Sequence, residues 1–535
     1  MPDLAQPEAK QKPSRIIALS GACLLLLLAV LLAVLPADAT IQAANYTFLA
    51  FRAHPYARVT ALGFSLLGAG GMLYASTGIL SPAAQAVALS AVLSAIAVIK
   101  ADNLLSFFIF WEMLAWLTLL LVVMDQKLTR RLLATTFAYL LTHLVGGLML
   151  LVGFARQYAL TGSMALNPLE AGAIPFALIA VGIKAAFIPL NYWIPAAYPE
   201  ATYPASVFLS GLSTKVGVLA IVRLLHPHPA IAYMGGAMAL LGVVFALLQV
   251  DMRRLLSWHI VSQVGYMVAC MAWGTPQATD AGLLHVFNHI LYKGALFMAA
   301  GCVIRQTATE NLKSLSQRYS VSFLVTASAL VAALSISGAP PFNGFVSKTL
   351  IKYAIEDPLL SFMLLVASVG TAASFTKFMY LGFLSARKNK NEPGRRLPLG
   401  MQLGLGGLAG LCLVTGLFPQ SVKGFLPYAS SIPVYRVGSI LPAVVSLVGG
   451  IVAFTLASWL LPRIPFLAPP LKFIRAVEWW FTNWFLHDRF THALQSINKR
   501  VLAGSQRYER LEQVGLAVVM VAVSIFAILW IILLH

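Results

Sequence analysis

Five lysines stand inside stretches of this sequence that are otherwise apolar enough to cross a membrane, and a single glutamate, Glu112, joins them. A charged side chain at the bilayer centre costs at least ~2.5 kcal/mol on insertion scales. Five such groups would therefore be strongly disfavoured on lipid-facing surfaces. The pattern indicates a hydrated or paired row of ionisable groups that carries an ion, most simply a proton. The lysines are Lys184, Lys215, Lys293, Lys348 and Lys377.

Histidines add groups that titrate close to neutral pH. His285 and His289 are four residues apart and Lys293 follows after another four, so a helix places all three on one face. His259, on the preceding apolar stretch, joins the predicted path, whereas His143 is interpreted as a hydrogen-bonded core histidine. The two histidines of the stripe have no acidic or thiol neighbour in sequence, so they do not indicate a metal site.

Carboxylates are scarce where sodium coordination would need them. Glu112 is the one acidic residue placed well inside a predicted crossing, and the others lie at ends or in loops. Amines and imidazoles pass protons, whereas hard cations take oxygen ligands. The sequence therefore predicts proton transfer in this chain, with any Na⁺ movement left to partner subunits.

The composition excludes most other classes of protein. Only 10% of the 535 residues are charged, against roughly 25% in soluble domains. The net charge of +19 does not indicate nucleic-acid binding, because most arginines lie in loops, as the positive-inside rule predicts. Four scattered cysteines and the absence of nucleotide-binding glycine motifs predict no cofactor, redox site or hydrolytic site in this chain.

Apolar runs of about 20 residues, each long enough to span the hydrocarbon layer, predict an all-α polytopic membrane protein. The first run is long for a signal-peptide core and is predicted to remain as a helix. With the N-terminus inside, every heavily basic loop becomes cytoplasmic, which predicts this orientation. The predicted location is the inner (plasma) membrane of a prokaryote. The fifteen predicted crossings are 16–36, 59–78, 83–101, 104–124, 132–155, 171–190, 204–225, 230–250, 254–275, 281–304, 321–356, 359–384, 400–420, 438–461 and 513–535.

Prolines interrupt the sixth and eleventh crossings, next to Lys184 and Lys348. A proline in a helix interior removes a hydrogen bond and clashes with the preceding turn. Irregular backbone at membrane depth persists only inside protein or beside a water-filled cavity. Two discontinuous helices are therefore predicted, with breaks marked by Pro189, Pro195, Pro340 and Pro341.

The ionisable residues recur five crossings apart. Lys184 and Lys348 lie on the sixth and eleventh crossings, and Lys215 and Lys377 on the seventh and twelfth. An odd offset reverses orientation, so the pattern predicts inverted five-helix repeats, each with one discontinuous helix. The predicted domains are N-terminal transmembrane helices (1–103), a first repeat (104–250), a second repeat (254–420) and an extra transmembrane helix (438–461), followed by an amphipathic lateral helix on the membrane surface (470–511) and a C-terminal anchor helix (513–535).

Six segments in order resemble the signature segments of antiporter-like subunits, a family shared by respiratory complex I, membrane-bound hydrogenases and Mrp cation/proton antiporters. They are FFIFWEMLAW, GIKAAFIPLNYWIP, FLSGLSTKVGVLAIVRLL, DMRRLLSWHIVSQVGYM, HVFNHILYKGALFMAAG and PPFNGFVSK, and their wording is most similar to the Mrp D-type subunit. The sequence departs from the family in lacking one early crossing and in having Ala196 where an aspartate is usual. The C-terminal lateral helix resembles the extension of a distal complex I subunit rather than anything expected of a D-type protein.

The resemblance implies that Glu112 and Lys184 form the family's ion pair, that Lys215 receives the proton through water, and that Lys348 is the terminal group. It implies a proton-translocating subunit of a multisubunit complex, with other membrane subunits and the lipid bilayer as partners, driven by redox chemistry or by cation exchange in those subunits. Two alternatives stay open at this point. One is a proton channel that energises a peripheral partner, as in inorganic carbon uptake, and the other is a structural subunit that moves no ions.

Overall fold

The computed structural model describes residues 8–34, 38–43, 46–52, 54–76, 78–318, 321–384, 396–460, 463 and 468–483. Helices account for most of the described residues. The elements are α1 (Glu8–Val34), β1 (Ala39–Ala43), β2 (Tyr46–Phe51), α2 (Pro55–Ala75), α3 (Pro82–Lys100), α4 (Leu104–Val123), α5 (Arg130–Thr161), α6 (Ile174–Lys184), α7 (Trp193–Ala197), α8 (Tyr203–Gly211), α9 (Ser213–Leu224), α10 (Pro229–Leu248), α11 (Met252–Trp273), α12 (Pro276–Thr307), α13 (Leu312–Arg318), α14 (Phe323–Ser337), α15 (Asn343–Ala354), α16 (Pro358–Met379) with a π-helical turn (Tyr380–Leu384), α17 (Leu399–Leu417), α18 (Gln420–Lys423), α19 (Pro427–Ser430), α20 (Val437–Leu460) and α21 (Ala468–Asn483).

The prediction of an all-α polytopic membrane protein is confirmed. Among the described residues, eleven helices are long and apolar enough to cross a membrane, and α6 and α14 are shorter apolar helices. The predicted lateral helix is described only as far as Asn483, where α21 ends. The rest of that helix and the predicted anchor 513–535 lie outside the described residues, so the count of fifteen crossings and the domain boundaries stay predictions.

Both predicted discontinuities are present. Helix α6 ends at Lys184 and the next helical turn begins at Trp193, whose indole Nε1 donates a 3.0 Å hydrogen bond to the Ile183 carbonyl. Helix α14 ends at Ser337 and α15 begins at Asn343. The two lysines that the sequence placed beside proline-rich breaks therefore do lie on interrupted helices.

The prolines of the two breaks do not all occupy the breaks themselves. Pro189 lies between α6 and α7, and Pro340 and Pro341 lie between α14 and α15; the bonds preceding Pro189 and Pro341 are cis. Pro195 instead lies in the first turn of α7, which corrects its assignment as a helix break. The first turn tolerates proline because its N–H groups have no partner within the helix.

A third irregularity was not predicted. The seventh predicted crossing is divided at Leu212 into α8 and α9, three residues before Lys215. This break lets a carbonyl group in the last turn of α8 accept a hydrogen bond from Lys215. The twelfth predicted crossing also loses regular α-geometry just after Lys377, where the π-helical turn begins.

Helices α10 and α11 are packed almost backbone to backbone. A Cβ atom built on Gly235 would lie 2.5 Å from the Gly265 carbonyl oxygen, and one on Gly242 would lie 2.6 Å from the Ser262 amide nitrogen. The Ser262 hydroxyl donates a 2.8 Å hydrogen bond to the Ala239 carbonyl across the same interface. Small residues and interhelical hydrogen bonds are the means by which membrane helices associate, so this contact joins the last helix of the first predicted repeat tightly to the first helix of the second.

One end of the bundle carries the basic loops, and we call it the basic face. There Arg131 contacts Glu200 at 2.7 Å, and Arg253 contacts Glu310 at 2.7 Å while donating to the Ala201 carbonyl at 2.5 Å. These contacts join the start of α5, the loop before α8, the start of α11 and the loop after α12. The loops that the charge pattern assigned to one side therefore do meet at one end.

The opposite end has its own polar network. Asp102 contacts Arg52 at 3.1 Å and Arg223 at 3.7 Å, and Asp280 accepts the backbone N–H of Tyr428 at 2.7 Å. Successive loops lie at alternate ends of the bundle, in agreement with the distribution of basic residues among the loops. Which end faces the cytoplasm stays a prediction from that count.

A short β-hairpin at this opposite end was not predicted, because residues 1–103 were assigned only to transmembrane helices. Strands β1 and β2 are antiparallel, and Ala39 is paired with Phe51. The Arg52 backbone N–H donates a 2.8 Å hydrogen bond to the Lys100 carbonyl, which ties the hairpin to the end of α3. Strands of five and six residues are too short to stand out against the apolar runs that flank them.

Candidate functional site

Lys184 and Glu112 lie close together in the first half of the bundle. The Lys184 ammonium donates a 2.8 Å hydrogen bond to the Trp111 carbonyl and lies 4.1 Å from the centre of the Trp111 ring. It interacts electrostatically with Glu112, but the ion pairs found among the described residues do not include a direct contact between the two. The lysine is 1% exposed. The arrangement holds a buried ammonium on a carbonyl and an aromatic face, with the carboxylate nearby.

A cavity of about 10 Å³ adjoins the Glu112 carboxyl and is lined by Tyr139 and His143 among others. That volume is close to the minimum that holds one water molecule. The buried Glu112 Oε1 and His143 Nε2 atoms have no hydrogen-bond partner in the described structure. His143, interpreted from sequence as a core residue, does stack on Tyr139 at 4.1 Å, yet it also faces the same cavity as Glu112.

Lys215 is fully buried just after the unpredicted break at Leu212. Its ammonium donates hydrogen bonds to the Ser210 carbonyl at 2.5 Å and to the Thr214 hydroxyl at 3.1 Å. Ser210 belongs to the last turn of α8, where unsatisfied carbonyls carry partial negative charge and stabilise a cation. The break in the seventh crossing therefore supplies the site that holds Lys215.

His289 occupies the centre of the arrangement. The ring is completely buried, and neither ring nitrogen has a hydrogen-bond partner among the described residues. Electrostatic interactions reach this ring from Lys215, Lys293, His285 and His259. An imidazole nitrogen left unsatisfied in a buried site normally marks a water or ion position. Four residues of the predicted path, the two lysines and the two other histidines just named, therefore surround His289.

Hydroxyl groups connect the remaining imidazoles to neighbouring helices. His259 Nε2 is 2.8 Å from the Ser374 hydroxyl on α16, and His285 Nδ1 is 2.9 Å from the Ser347 hydroxyl on α15. The Tyr292 hydroxyl is 3.5 Å from His285 Nε2. Hydroxyls both donate and accept, so each of these contacts is able to relay a proton.

Lys293 is fully buried in the middle of α12, and its ammonium donates a 2.7 Å hydrogen bond to the Leu256 carbonyl. Lys377 lies at the basic face, where it donates to the carbonyls of Leu247 (2.8 Å) and Gln249 at the end of α10. Both lysines hold their charge on backbone carbonyls.

Lys348 lines a cavity of about 380 Å³ between α15, α16 and α20. The ammonium donates a 3.2 Å hydrogen bond to Ser368 and lies 5.4 Å from the centre of the Tyr266 ring. Most of its lining is apolar. Its lining also includes Ser439 and Ser446 of α20.

The structure brings Lys215, Lys293 and the histidines 259, 285 and 289 into one cluster, with Lys348 and Lys377 at its margins. Glu112 and Lys184 form a separate pair, which contacts the helix of Lys215 through Gly217: a Cβ there would lie 2.6 Å from the Lys184 carbonyl carbon. The roles assigned to these residues stay predictions. Among the described residues, no three His, Cys, Asp or Glu side chains are grouped to hold a metal ion.

Sequence reasoning missed the polar partners of the charged groups. Trp111 stands in the first signature segment but was not given a role, and neither were Ser347 of α15 or Ser368 and Ser374 of α16. A serine on an otherwise apolar face, at the depth of a buried lysine or histidine, is the signal that could have identified them. His143 was given a purely structural role.

The family model described as NADH:quinone oxidoreductase/Mrp antiporter, TM matches residues 101–375. A Na⁺/H⁺ antiporter subunit of Alkalihalophilus pseudofirmus is 28% identical over 54% of this chain and 63% of its own length. Hydrogenase-4 component B of Escherichia coli is 27% identical over 61% of this chain and 55% of its own length. This chain therefore spans less than two thirds of the length of either relative.

Two solved structures have the same fold. A chain of the archaeal membrane-bound sulfane sulfur reductase is 22% identical, with a TM-score of 0.69, over 96% of this chain and 99% of its own length. A chain of the Mrp complex from Dietzia sp. DQ12-45-1b is 20% identical, with a TM-score of 0.69, over 80% of this chain and 93% of its own length. Because the family model covers more than half of the residues, this chain belongs to the transmembrane family shared by NADH:quinone oxidoreductase and the Mrp antiporters.

Proposed function

We propose that this chain is a proton-translocating, antiporter-like subunit of a multisubunit membrane complex. The observation that carries the proposal is the buried cluster around His289. An imidazole without hydrogen-bond partners among the described residues lies within electrostatic range of two buried lysines and two further histidines. Groups of this kind inside a membrane are expensive, and they are typical of proton relays.

The chemistry of the cluster favours protons over metal cations. Lys215 and Lys293 present ammonium or amine groups, and His285 and His289 present imidazoles, so the cluster offers nitrogen atoms rather than the oxygens that sodium needs. An imidazole between two amines takes a proton on one nitrogen and releases one from the other. Water molecules or small side-chain rotations bridge the remaining separations.

The Glu112–Lys184 pair is proposed to gate this relay. The carboxylate stabilises the Lys184 ammonium when the two approach, and separation leaves a buried ammonium that releases its proton more readily. Helix α6 ends at Lys184, so this ammonium lies at the first helix break. Lys348, beside the 380 Å³ cavity, is proposed to be the terminal group from which the proton leaves.

The proposed partners are other membrane subunits. Relatives of this chain carry the names of antiporter, hydrogenase and NADH-quinone oxidoreductase subunits. The driving force is proposed to come from those partners, as redox chemistry or as cation exchange. Mass spectrometry of the gently solubilised complex separates the two, because iron–sulfur or nickel–iron subunits indicate the first and small membrane subunits alone indicate the second.

Replacement of Lys184 and Lys348 by alanine tests the proposal. In vesicles that contain the complete complex, we expect each variant to lose at least ~10²-fold in proton flux, the usual scale for loss of a positioned proton-transfer group. The complex must first be shown to assemble in normal amounts. Full activity in both variants would favour the structural, non-transporting alternative and would refute the proposed function.

A further inference from the structure

Two carboxyl groups meet at the basic face, outside the residues discussed so far. Asp251 precedes α11 and Glu310 lies in the loop after α12, and the two side chains are within hydrogen-bonding reach of each other. The two loops are held together by backbone hydrogen bonds, from Met252 N–H to the Glu310 carbonyl (3.0 Å) and from Leu312 N–H to the Val250 carbonyl (2.8 Å). The two carboxyl groups are therefore fixed side by side.

An arginine binds one of these two carboxyl groups. Arg253 binds the Glu310 carboxylate at 2.7 Å and donates to the Ala201 carbonyl, with only 12% of its side chain exposed. Glu310 remains 34% exposed, so water reaches the pair. Burial and the neighbouring Glu310 charge raise the pKa of Asp251 to about 6. A carboxyl group whose pKa is raised in this way takes up a proton more readily than an ordinary surface aspartate.

The carboxyl pair lies near Lys377, the residue of the predicted path that is at the basic face. Lys377 donates to the carbonyl of Gln249, which is two residues before Asp251. Electrostatic interactions link Lys377 to His259, which belongs to the central cluster. The other charged groups near this junction are Arg254 on α11, Lys313 on α13, Arg475 on α21, and the Arg131–Glu200 pair.

We propose that Asp251 and Glu310 form the proton-collecting site of this chain, which takes protons from water at the basic face and passes them to Lys377. This inference rests on the proposed proton-translocating function. The pair takes one proton from bulk water or buffer, which neutralises one of its two negative charges. After the Lys377 ammonium has released its own proton toward His259, transfer of the collected proton through water to the resulting amine regenerates the ammonium and returns the pair to its original charge.

The alternative reading, that the pair only stabilises the loops, predicts different behaviour. Asp251 accepts the Arg254 backbone N–H at 2.9 Å and thereby caps α11. Asparagine caps a helix as well as aspartate does, so D251N keeps the cap and removes the exchangeable proton. Asp357 caps α16 in the same way, accepting the Leu360 N–H at 2.7 Å, and D357N is the matched control.

The test is the initial rate of proton uptake from the basic face by vesicles containing the complete complex, measured at low and at high buffer concentration. A positioned proton-transfer group raises the rate of proton transfer roughly 10²-fold or more. Protons that arrive directly through water make the loss smaller when the group is removed. We therefore expect the uptake rate of D251N to fall about tenfold at low buffer concentration and to recover at high buffer concentration. The uptake rate of D357N should equal that of the unmodified complex. If D251N does not assemble, E310Q is used for the same comparison.

Two results would overturn the inference. Uptake by D251N equal to that of the unmodified complex at low buffer would show that the pair collects no protons. A loss that is the same at every buffer concentration would show a structural role. Lys184→Ala and Lys348→Ala, measured in parallel, separate this failure from failure of the proposed function: full activity in both variants refutes the proposed function, whereas loss of activity in both with an unaffected D251N refutes only the collecting site.

Discussion

Substitution of Gly147 by alanine offers the sharpest probe of the Glu112 carboxyl. A Cβ atom on Gly147 would lie 2.6 Å from Glu112 Cδ and 2.8 Å from Oε2. Ordinary contact begins at 3.4 Å, so the carboxyl carbon must move by at least 0.8 Å (3.4 − 2.6). The side chain that we propose to gate Lys184 would therefore be displaced without any change to its own chemistry.

The neighbouring glycine provides the control. A Cβ atom on Gly146 meets only the Ile183 side chain, at 3.4 Å. Both positions lie inside α5, where alanine is favoured over glycine by ~1 kcal/mol. Gly146→Ala and Gly147→Ala thus share the gain in helix propensity and differ in whether they touch Glu112.

Proton flux through the assembled complex is the assay. A misplacement near 1 Å in a reacting group costs up to ~10²-fold, so we expect Gly147→Ala to lose between about tenfold and a hundredfold while Gly146→Ala keeps its activity. Native electrophoresis of the complex checks that both variants assemble equally. Equal flux in the two variants would refute the placement of Glu112 on the proton path.

Two further predictions concern packing. Gly217→Ala would place a Cβ 2.5 Å from the Ala185 amide nitrogen at the first break, so we expect destabilised assembly and a lower unfolding temperature. Gly406→Ala on α17 is the control, because a Cβ there meets no described atom within 4 Å. Its unfolding temperature should equal that of the unmodified chain. Trp258→Phe removes the indole N–H that donates a 3.1 Å hydrogen bond to Glu478 of α21. Loss of this bond should weaken the packing of α21 against α11 by ~1 kcal/mol, so we expect faster proteolysis of α21. Unchanged proteolysis would show that this bond does not hold α21.

The sequence predicted the helical class and the two main discontinuities because both have strong local causes. Long apolar runs satisfy the length requirement of the bilayer, and prolines in a helix interior, as beside Lys184 and Lys348, remove hydrogen bonds and favour a break. The positions of buried lysines were equally predictable, since a charge inside an apolar run requires a polar or hydrated environment.

Other features depend on tertiary contacts that no local pattern records. The break at Leu212 has no proline, and it is recognisable only because the Ser210 carbonyl it exposes binds Lys215. Pro195 was assigned to a break because its residue type is typical of one, yet the adjacent turn accepts it. The Asp251–Glu310 pair unites residues 59 positions apart through the pairing of two loops.

Proton uptake by the complex carrying His289→Leu is the most direct test of the central claim that protons pass through the buried cluster. The substitution removes the imidazole that four charged or titratable groups surround, and His226→Leu, at a hydrogen bond to the Leu169 carbonyl outside the cluster, is its control. We predict that His289→Leu abolishes proton uptake in a normally assembled complex while His226→Leu preserves it. Undiminished uptake with His289→Leu would contradict the proton path described for this chain.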